Sequence, residues 1–331
     1  MSPTRQTRAV VATALGGPEV LEIRSLPVPP PAAGQVQVEA RAWGVNYVDV
    51  LMVRGGYQLK PDPPFVPGME AAGVISAIGP GVTGLVVGDR VMTAHRPGAF
   101  AELVNVPVEQ VWPVPDALDL PAAAVFRSAH YTAWHSLVQR AAVQPGEWVL
   151  VHAATGGVGL AAVQVARLRG ARVIATGGRD DKLAVVRAQG AEHVIRLDGQ
   201  GFRDEVKRIT DGRGVDVVLD PVGAEVFDES IRCLAWGARI LVIGFVGGEP
   251  ARARTNHLLI KGASVIGIRA GEFGRRNPAI RDANMRDLLA HAAAGELRPH
   301  ISHRFAFESV AAAFEVVAAR EVIGKAVLVA D

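Results

Sequence analysis

The sequence predicts an α/β protein of two domains: a β-rich one and a doubly wound parallel sheet with helices on both faces. Three observations predict it. The 331 residues exceed one ordinary core, at roughly 100–200 residues per domain. The first third alternates apolar and polar residues with period two, in QVQVEARA (Gln35–Ala42) and in part of AAGVISAIG (Ala71–Gly79). From Pro145 onward, short apolar runs alternate with helical stretches, the texture of parallel strands buried between helices.

In order, turn signals crowd around the two alternating strands, in PVPPP (Pro27–Pro31) and GPGVTG (Gly79–Gly84). The second domain then reads EWVLVHA, GLAAVQVARLRG, ARVIAT, DDKLAVVRAQGA, VDVVLD, ARILVIGF and ASVIGI. After Arg276 come a helix in NPAIRDANMRDLLAHAAAGEL, a strand in HISHRFAF, a helix in ESVAAAFEVVAAR and a last strand in GKAVLVAD. This tail is too short for a third domain, so its final strand is expected to return to the first sheet. Two domains also predict a cleft.

Basic residues number 35 against 33 acidic ones, for a formal net charge of +2, and they are scattered. No basic stripe for nucleic acid or an anionic membrane results, so a small molecule is the expected partner. One cysteine, Cys233, excludes an internal disulfide framework and a multi-thiolate metal site, and fits a reducing cytoplasm. No signal-peptide core opens the chain and no window approaches the roughly 18 apolar residues of a membrane span, so a soluble cytoplasmic protein is expected.

The richest stretch is Val149–His152 followed by AATGGVG (Ala153–Gly159) and a helix beginning near Val158. Small residues at Ala153, Gly156 and Gly159 suit a tight turn, close approach of backbone to a ligand, and close packing of helix on sheet. With Thr155, Gly157 and Val158 they place a helix N-terminus, with its unpaired N–H groups, against a diphosphate. A strand before, a helix after and a second strand beyond distinguish this loop from a bare glycine turn. About 20 residues on, where a carboxylate would hold the ribose 2′-OH of NAD, stands Gly177. The run Gly177, Gly178, Arg179 and Lys182 leaves room for a 2′-phosphate and supplies cations, favouring NADPH; alternatively Arg179 is a solvated loop charge.

Laid end to end, GVNYVDVLMVRGGY, PFVPGMEAAGVI, GDRV, GAFAE, TAW, GEWVLVHAATGGVGLAAVQVAR and GKAVLV resemble the medium-chain dehydrogenase/reductase superfamily over nearly the whole chain, with the closest similarity to its zinc-free quinone oxidoreductase, zeta-crystallin-like branch. Gly146–Arg167 nearly reproduces that branch's signature, with Thr155 where Ser, Ala or Pro is usual. The resemblance implies a GroES-like catalytic domain over 1–123 completed by 267–331, a Rossmann domain over 124–266, and a homodimer, with an edge strand near Ser264–Ile268 able to pair across the twofold. Zinc relatives carry Cys, His and Cys where this chain has Asn46, Met69 and Ser128. These are not a plausible zinc set, so no metal is expected.

Without a Lewis acid the hydride acceptor has to be electron-poor already, or activated by hydrogen bonds. A quinone, or an activated C=C bond in an enone, enoyl or haloalkenoate substrate, meets that demand. A third reading is an NADPH-binding, non-catalytic or RNA-associated crystallin-like protein. By the resemblance, Asn46 lies near the nicotinamide, where its amide can orient a substrate carbonyl or serve only its own turn. Tyr57 matches a tyrosine at the cleft mouth, or is an ordinary half-buried aromatic. Asp49 bridges to a substrate or arginine, or is a helix N-terminal carboxylate; His130 lies near the nicotinamide or is structural. A second tyrosine of some relatives is here Leu51, which removes that proton donor. Thr132 touches the nicotinamide ribose or ring, or bonds back to its own helix. Pro221 and Val222 in DPVG, with Gly244, Phe245 and Val246 in GFVG, form backbone walls for the cofactor, with Asn256 a weaker candidate and Glu70 a structural carboxylate.

Overall fold

The protein is described by a computed structural model, and the residues described are 4–199 and 201–330. The chain divides into two compact units, Met1–Ser128 with Arg298–Asp331, and Ala129–Leu297.

The first unit opens with a hairpin, β1 (Arg5–Ala12) antiparallel to β2 (Leu21–Val28). The 11-residue β3 (Gln35–Val45) is followed by the short helix α1 (Tyr47–Val53), then β4 (Glu70–Ile78), β5 (Arg90–Ala94), β6 (Leu103–Pro107), β7 (Val111–Pro113) and α2 (Leu120–Trp134). Strand β3 is antiparallel to both β4 and β6. Its period-two pattern breaks after Ala42, where Trp43, Gly44 and Val45 are all buried, because both faces are covered there. Trp43 packs on Phe307 with ring centroids 4.4 Å apart and planes tilted by 45°, and donates its indole N–H to the Ala101 carbonyl at 3.0 Å. An apolar cluster gathers round it, with Phe100, Phe307 and Phe314.

The second unit is built from β8 (Trp148–Val151), α3 (Gly157–Leu168), β9 (Arg172–Gly177), α4 (Asp180–Ala188), β10 (His193–Arg196), α5 (Arg203–Ile209), β11 (Val215–Asp220), α6 (Ala224–Ser230), β12 (Leu234–Val242), α7 (Thr255–Lys261) and β13 (Ser264–Gly267). Two further helices follow, α8 (Ala270–Arg276) and α9 (Pro278–Ala293). The six strands are parallel in the order β10-β9-β8-β11-β12-β13. This is the doubly wound order, and it reverses direction between β8 and β11. Both strands there are buried along their whole length, as a sheet covered on both faces requires.

The chain then returns to the first unit as β14 (Ile301–Ala306), α10 (Val310–Ala318) and β15 (Lys325–Val329). The final strand pairs antiparallel with β3, opposing Ala326 to Val45, so the β-rich unit is discontinuous as expected. The compact units divide after Ser128, inside the unbroken helix α2, and after Leu297. Helix α9 stays with the second unit because it buries Met285, Leu288 and Ala292, its His291 packs on Trp134, and its Asn284 accepts from Gln139. Among the described residues no helix is long and apolar enough to cross a membrane.

The β3–β4 ladder shifts register near Ala40, and there β4 carries Gly73, at which a Cβ would stand 2.0 Å from the Glu39 carbonyl oxygen. Gly73→Ala is therefore expected to destabilise the protein by about 1–3 kcal/mol through overpacking against backbone. A urea midpoint unchanged from wild type would contradict this close approach.

Candidate active site

In the second unit, the loops after β8, β11 and β12 all leave the carboxyl edge of the sheet around the point where the strand order reverses. The loop after β8 turns at Ala153, whose φ is +45°, a left-handed conformation a small residue tolerates best. Gly159 fits the packing role: a Cβ there would lie 2.4 Å from the Ala153 carbonyl oxygen and 2.6 Å from Ala154 Cα. Gly156 is different, since its Cβ would meet only Ala153 O, at 3.5 Å, an ordinary contact. Gly178 would meet nothing within 4 Å. Neither glycine is demanded by its protein neighbours, which leaves a cradle that side chains would fill and a ligand can enter. Helix α3 begins at Gly157, and the N–H groups of its first turn have no partner within the helix.

The other walls are tied together. Asp220 is buried at the end of β11, and its Oδ1 accepts from the N–H groups of Val222 (2.7 Å) and Gly223 (2.9 Å). Its Oδ2 has no partner, and burial raises its pKa. Val246 N–H donates to Pro221 O at 2.9 Å and Gly247 N–H to Val222 O at 3.0 Å, joining the GFVG and DPVG loops. Phe245 and Asn256 are exposed, Asn256 on the first turn of α7. Gly177 ends β9, and Arg179, the N-cap of α4, makes a two-pronged ion pair with Asp181 (2.8 and 3.0 Å) while Lys182 is buried. Thr132 is half-buried in α2. His130 is buried, with Nε2 3.1 Å from Gln164 Oε1.

In the first unit the GVNYVD segment crosses from β3 into α1 and forms a buried polar cluster. Asn46 is the helix N-cap, and its backbone N–H donates to Asp49 Oδ2 at 2.8 Å. The Asn46 amide donates to Glu70 Oε1 at 3.0 Å and to Gly44 O at 3.3 Å, while its oxygen accepts from Lys325 Nζ. Both amide hydrogens are thus spent on protein acceptors, and donation to a substrate carbonyl would break one of these bonds. Lys325 Nζ also donates to Glu70 Oε1 at 2.9 Å, and Glu70 Oε2 accepts from Ser128 N–H at 2.9 Å. Tyr57 is half-buried in the loop after α1, and among the described residues its hydroxyl makes no hydrogen bond.

Asp49 is fully buried and its Oδ1 has no partner. Burial pushes its pKa up to about 7; the bond from Asn46 and the Lys325 charge oppose the rise, and the Glu70 charge adds to it. Nearby, burial and the Arg127 charge hold His95 neutral, at about 4, with its Nε2 2.9 Å from Thr93 Oγ1. Asn46, Met69 and Ser128 offer an amide, a thioether and a hydroxyl, a donor set that does not fit zinc. Among the described residues no group of three or more His, Cys, Asp or Glu is placed to hold a metal ion. Sequence reasoning gave Glu70 only a structural role and passed over Lys325. Its one signal was the GK of GKAVLV, with no carboxylate nearby in the sequence to pair with it.

The chain matches the family described as the alcohol dehydrogenase GroES-like domain over residues 32–116 and that described as zinc-binding dehydrogenase over 157–285. It is 36% identical over 327 residues to quinone oxidoreductase-like protein 2 of Rattus norvegicus, covering 98% of this chain and 93% of the relative. It is 32% identical over 317 residues to quinone oxidoreductase of Homo sapiens, covering 93% of each. The solved structure of mycobacterial Rv1454c complexed with NADPH superposes with a TM-score of 0.90 at 31% identity, covering 97% of this chain and 99% of that one.

The Asp49 carboxyl has a folded pKa above its unfolded value, so the folded state binds more protons between about pH 4 and 7. Stability is therefore expected to fall as pH rises through that window, by at most about 1.4 kcal/mol per unit. Asp49→Asn keeps an oxygen for the Asn46 N–H and removes the titration, so denaturant melts should lose this slope. A slope equal to that of wild type would assign it to another group.

Proposed function

The chain belongs to the medium-chain dehydrogenase/reductase superfamily, in its zinc-free quinone oxidoreductase branch, and from that membership we propose that it is an oxidoreductase passing hydride from NADPH to a quinone or similarly electron-poor acceptor. One observation carries the proposal: a glycine cradle at the strand-order reversal whose Gly156 and Gly178 have no intramolecular reason to lack a side chain. Bound there, NADPH would supply the hydride.

The chain's own residues then have distinct tasks. Thr155, Gly156, Gly157 and Val158 bring backbone N–H groups and the helix terminus to the diphosphate, and the Pro221–Val222 and Gly244–Val246 loops wall the cofactor. Gly177, packed on Leu183 and Thr155, ends the strand, and Gly178 beyond it leaves space for a 2′-phosphate, which Arg179 meets by exchanging its bond to Asp181, with Lys182 adding positive charge. In the first unit Tyr57 offers a hydroxyl without an intramolecular partner, able to hydrogen-bond a flat acceptor or stack on it. A quinone needs only hydride and a proton from water, in keeping with Leu51 standing where some relatives have a tyrosine.

We further propose a cytoplasmic homodimer. Strand β13 has a single neighbour in its sheet, and Trp236, Leu259 and Ile260 are exposed at 78, 81 and 66% on β12 and α7. A second copy pairing at that edge would cover them. Sedimentation should report a dimer for the wild type and a monomer for Leu259→Glu; a monomeric wild type excludes the pairing.

Steady-state NADPH oxidation with naphthoquinones is expected to exceed that with enones, enoyl thioesters and haloacrylates in kcat/KM. The opposite ranking makes the protein a C=C reductase, and tight NADPH binding without turnover of any acceptor makes it a binding protein. Arg179→Glu should weaken NADPH binding on the order of tenfold or more while leaving NADH nearly unchanged. An unaltered preference removes Arg179 from the 2′-phosphate site.

A further inference from the structure

We propose that Lys325 is the organising cation of the hydride-accepting side of this enzyme, a positioning residue whose buried ammonium stands among the positions where zinc relatives carry their metal ligands. The proposal rests on the reading of the chain as a hydride-transfer enzyme.

Its first support is convergence. The three positions are Asn46, Met69 and Ser128. Lys325 Nζ donates directly to Asn46 Oδ1 and to Oε1 of Glu70, the residue next to Met69; the other oxygen of Glu70 accepts the Ser128 N–H. One ammonium and one carboxylate thus tie Asn46 and Ser128 to the residue that follows Met69.

Its second support is burial. Lys325 is 5% exposed and Glu70 1%, so neither is a solvated surface charge. An ammonium removed from water at this depth persists only with well-placed acceptors. The fold provides them: Ala326 pairs with Val45 across β15 and β3, which sets Lys325 beside Asn46. Gly44 makes the room, since a Cβ there would fall 2.8 Å from Glu70 Cγ and Oε1 and 2.5 Å from Ala124 O.

Its third support is charge. The charged groups acting on Asp49 are Glu70 from β4 and Lys325 from β15, so two buried carboxyl groups share one buried ammonium. Removing the ammonium would set Asp49 and Glu70 against each other and take from the Asn46 amide oxygen its Lys325 donor. Hydride transfer places negative charge on the acceptor, and a fixed positive charge at low dielectric stabilises such charge without reorganising. Lys325 acts through Asn46 and Glu70, whose positions it fixes.

The test uses the full chain as wild type, Lys325→Met, Lys325→Arg and the double variant Glu70→Gln/Lys325→Met. NADPH affinity, read by fluorescence titration, is expected to stay within about threefold in all four. Lys325→Met should lower kcat/KM for 1,4-naphthoquinone on the order of 30-fold or more, mainly in kcat, and Lys325→Arg should recover most of it. The double variant removes the Lys325–Glu70 pair together and leaves Asp49 as the one buried carboxyl of the three groups, so it keeps the comparison usable where the single variant folds poorly, and it should remain impaired. Full recovery in the double variant, or unchanged kcat/KM in Lys325→Met, overturns the proposal and leaves the lysine as a mere counter-charge. Should the wild type reduce no acceptor, the functional reading fails alone. Lys325 is then judged by 13C NMR titration of the Asp49 carboxyl, expected to rise by about one unit or more in the single variant, an unmoved titration overturning the proposal.

Discussion

A buried ammonium–carboxylate pair, Lys325 with Glu70, joins the last strand of the chain to a strand that begins 255 positions earlier, and the first unit is organised around it. Such a pair is favourable only when every remaining polar atom finds a partner, because taking two ions out of water costs several kcal/mol each. Here Glu70 accepts from Lys325, Asn46 and Ser128, and the lysine has two acceptors. The same strand pairing that delivers the lysine also closes the apolar cluster around Trp43, for which β15 supplies Ala326 and Leu328. Folding of the tail and completion of the polar cluster are one event. A discontinuous domain is the consequence, since neither the sheet nor the cluster is complete without the final strand.

The second unit obeys a different constraint. Its strands are parallel and covered on both faces, so polar backbone becomes available to a ligand only where the strands end and the chain turns. The turns at the order reversal are built for close approach, with Ala153 and Gly223 at positive φ and Asp220 holding the backbone of its own turn. Just behind these turns His152 bonds Thr176 and Ser230, and burial lowers its pKa to about 3, which keeps it a neutral spacer. What faces outward there is backbone, small side chains and Phe245, suited to holding a diphosphate and poor in groups that could do chemistry.

Legibility in the sequence followed the range of the interactions. The parallel strands and the glycine loop were readable because their signals are local: continuous apolar runs, a strand-loop-helix spacing, and turn residues at fixed offsets. The return of the last strand was readable too, as a short apolar run with no sheet of its own. The hairpin of β1 and β2 was not singled out, because the exposed and buried positions of β2 do not alternate. In sequence α8 and α9 look like a new segment; the burial of Met285 and Leu288 and the pairing of Asn284 with Gln139 place α9 with the second compact unit. At the candidate site, Asn46 and Asp49 were visible as residue types, but that both Asn46 amide hydrogens are taken could not be. The acceptors are Gly44 O, adjacent in sequence, and Glu70 Oε1, which only the β3–β4 pairing brings within reach.

On the proposed reading, a buried ammonium at this cluster would narrow the chemistry on offer. A zinc ion has open coordination positions: it can bind an alcohol oxygen, lower its pKa and make an alkoxide the hydride donor. An ammonium binds by hydrogen bonds and by its field, and those of Lys325 are committed to Asn46 and Glu70. On the proposed reading, the cluster therefore helps an acceptor that is already electron-poor and gives little help to an alcohol, whose oxidation requires a proton to leave before the hydride does. Asp49, buried with one oxygen unpartnered and a pKa near neutrality, fits the same picture. When protonated it leaves Lys325 and Glu70 as a balanced pair, so the pocket carries no net charge, and a neutral, flat acceptor is the partner such a pocket least penalises.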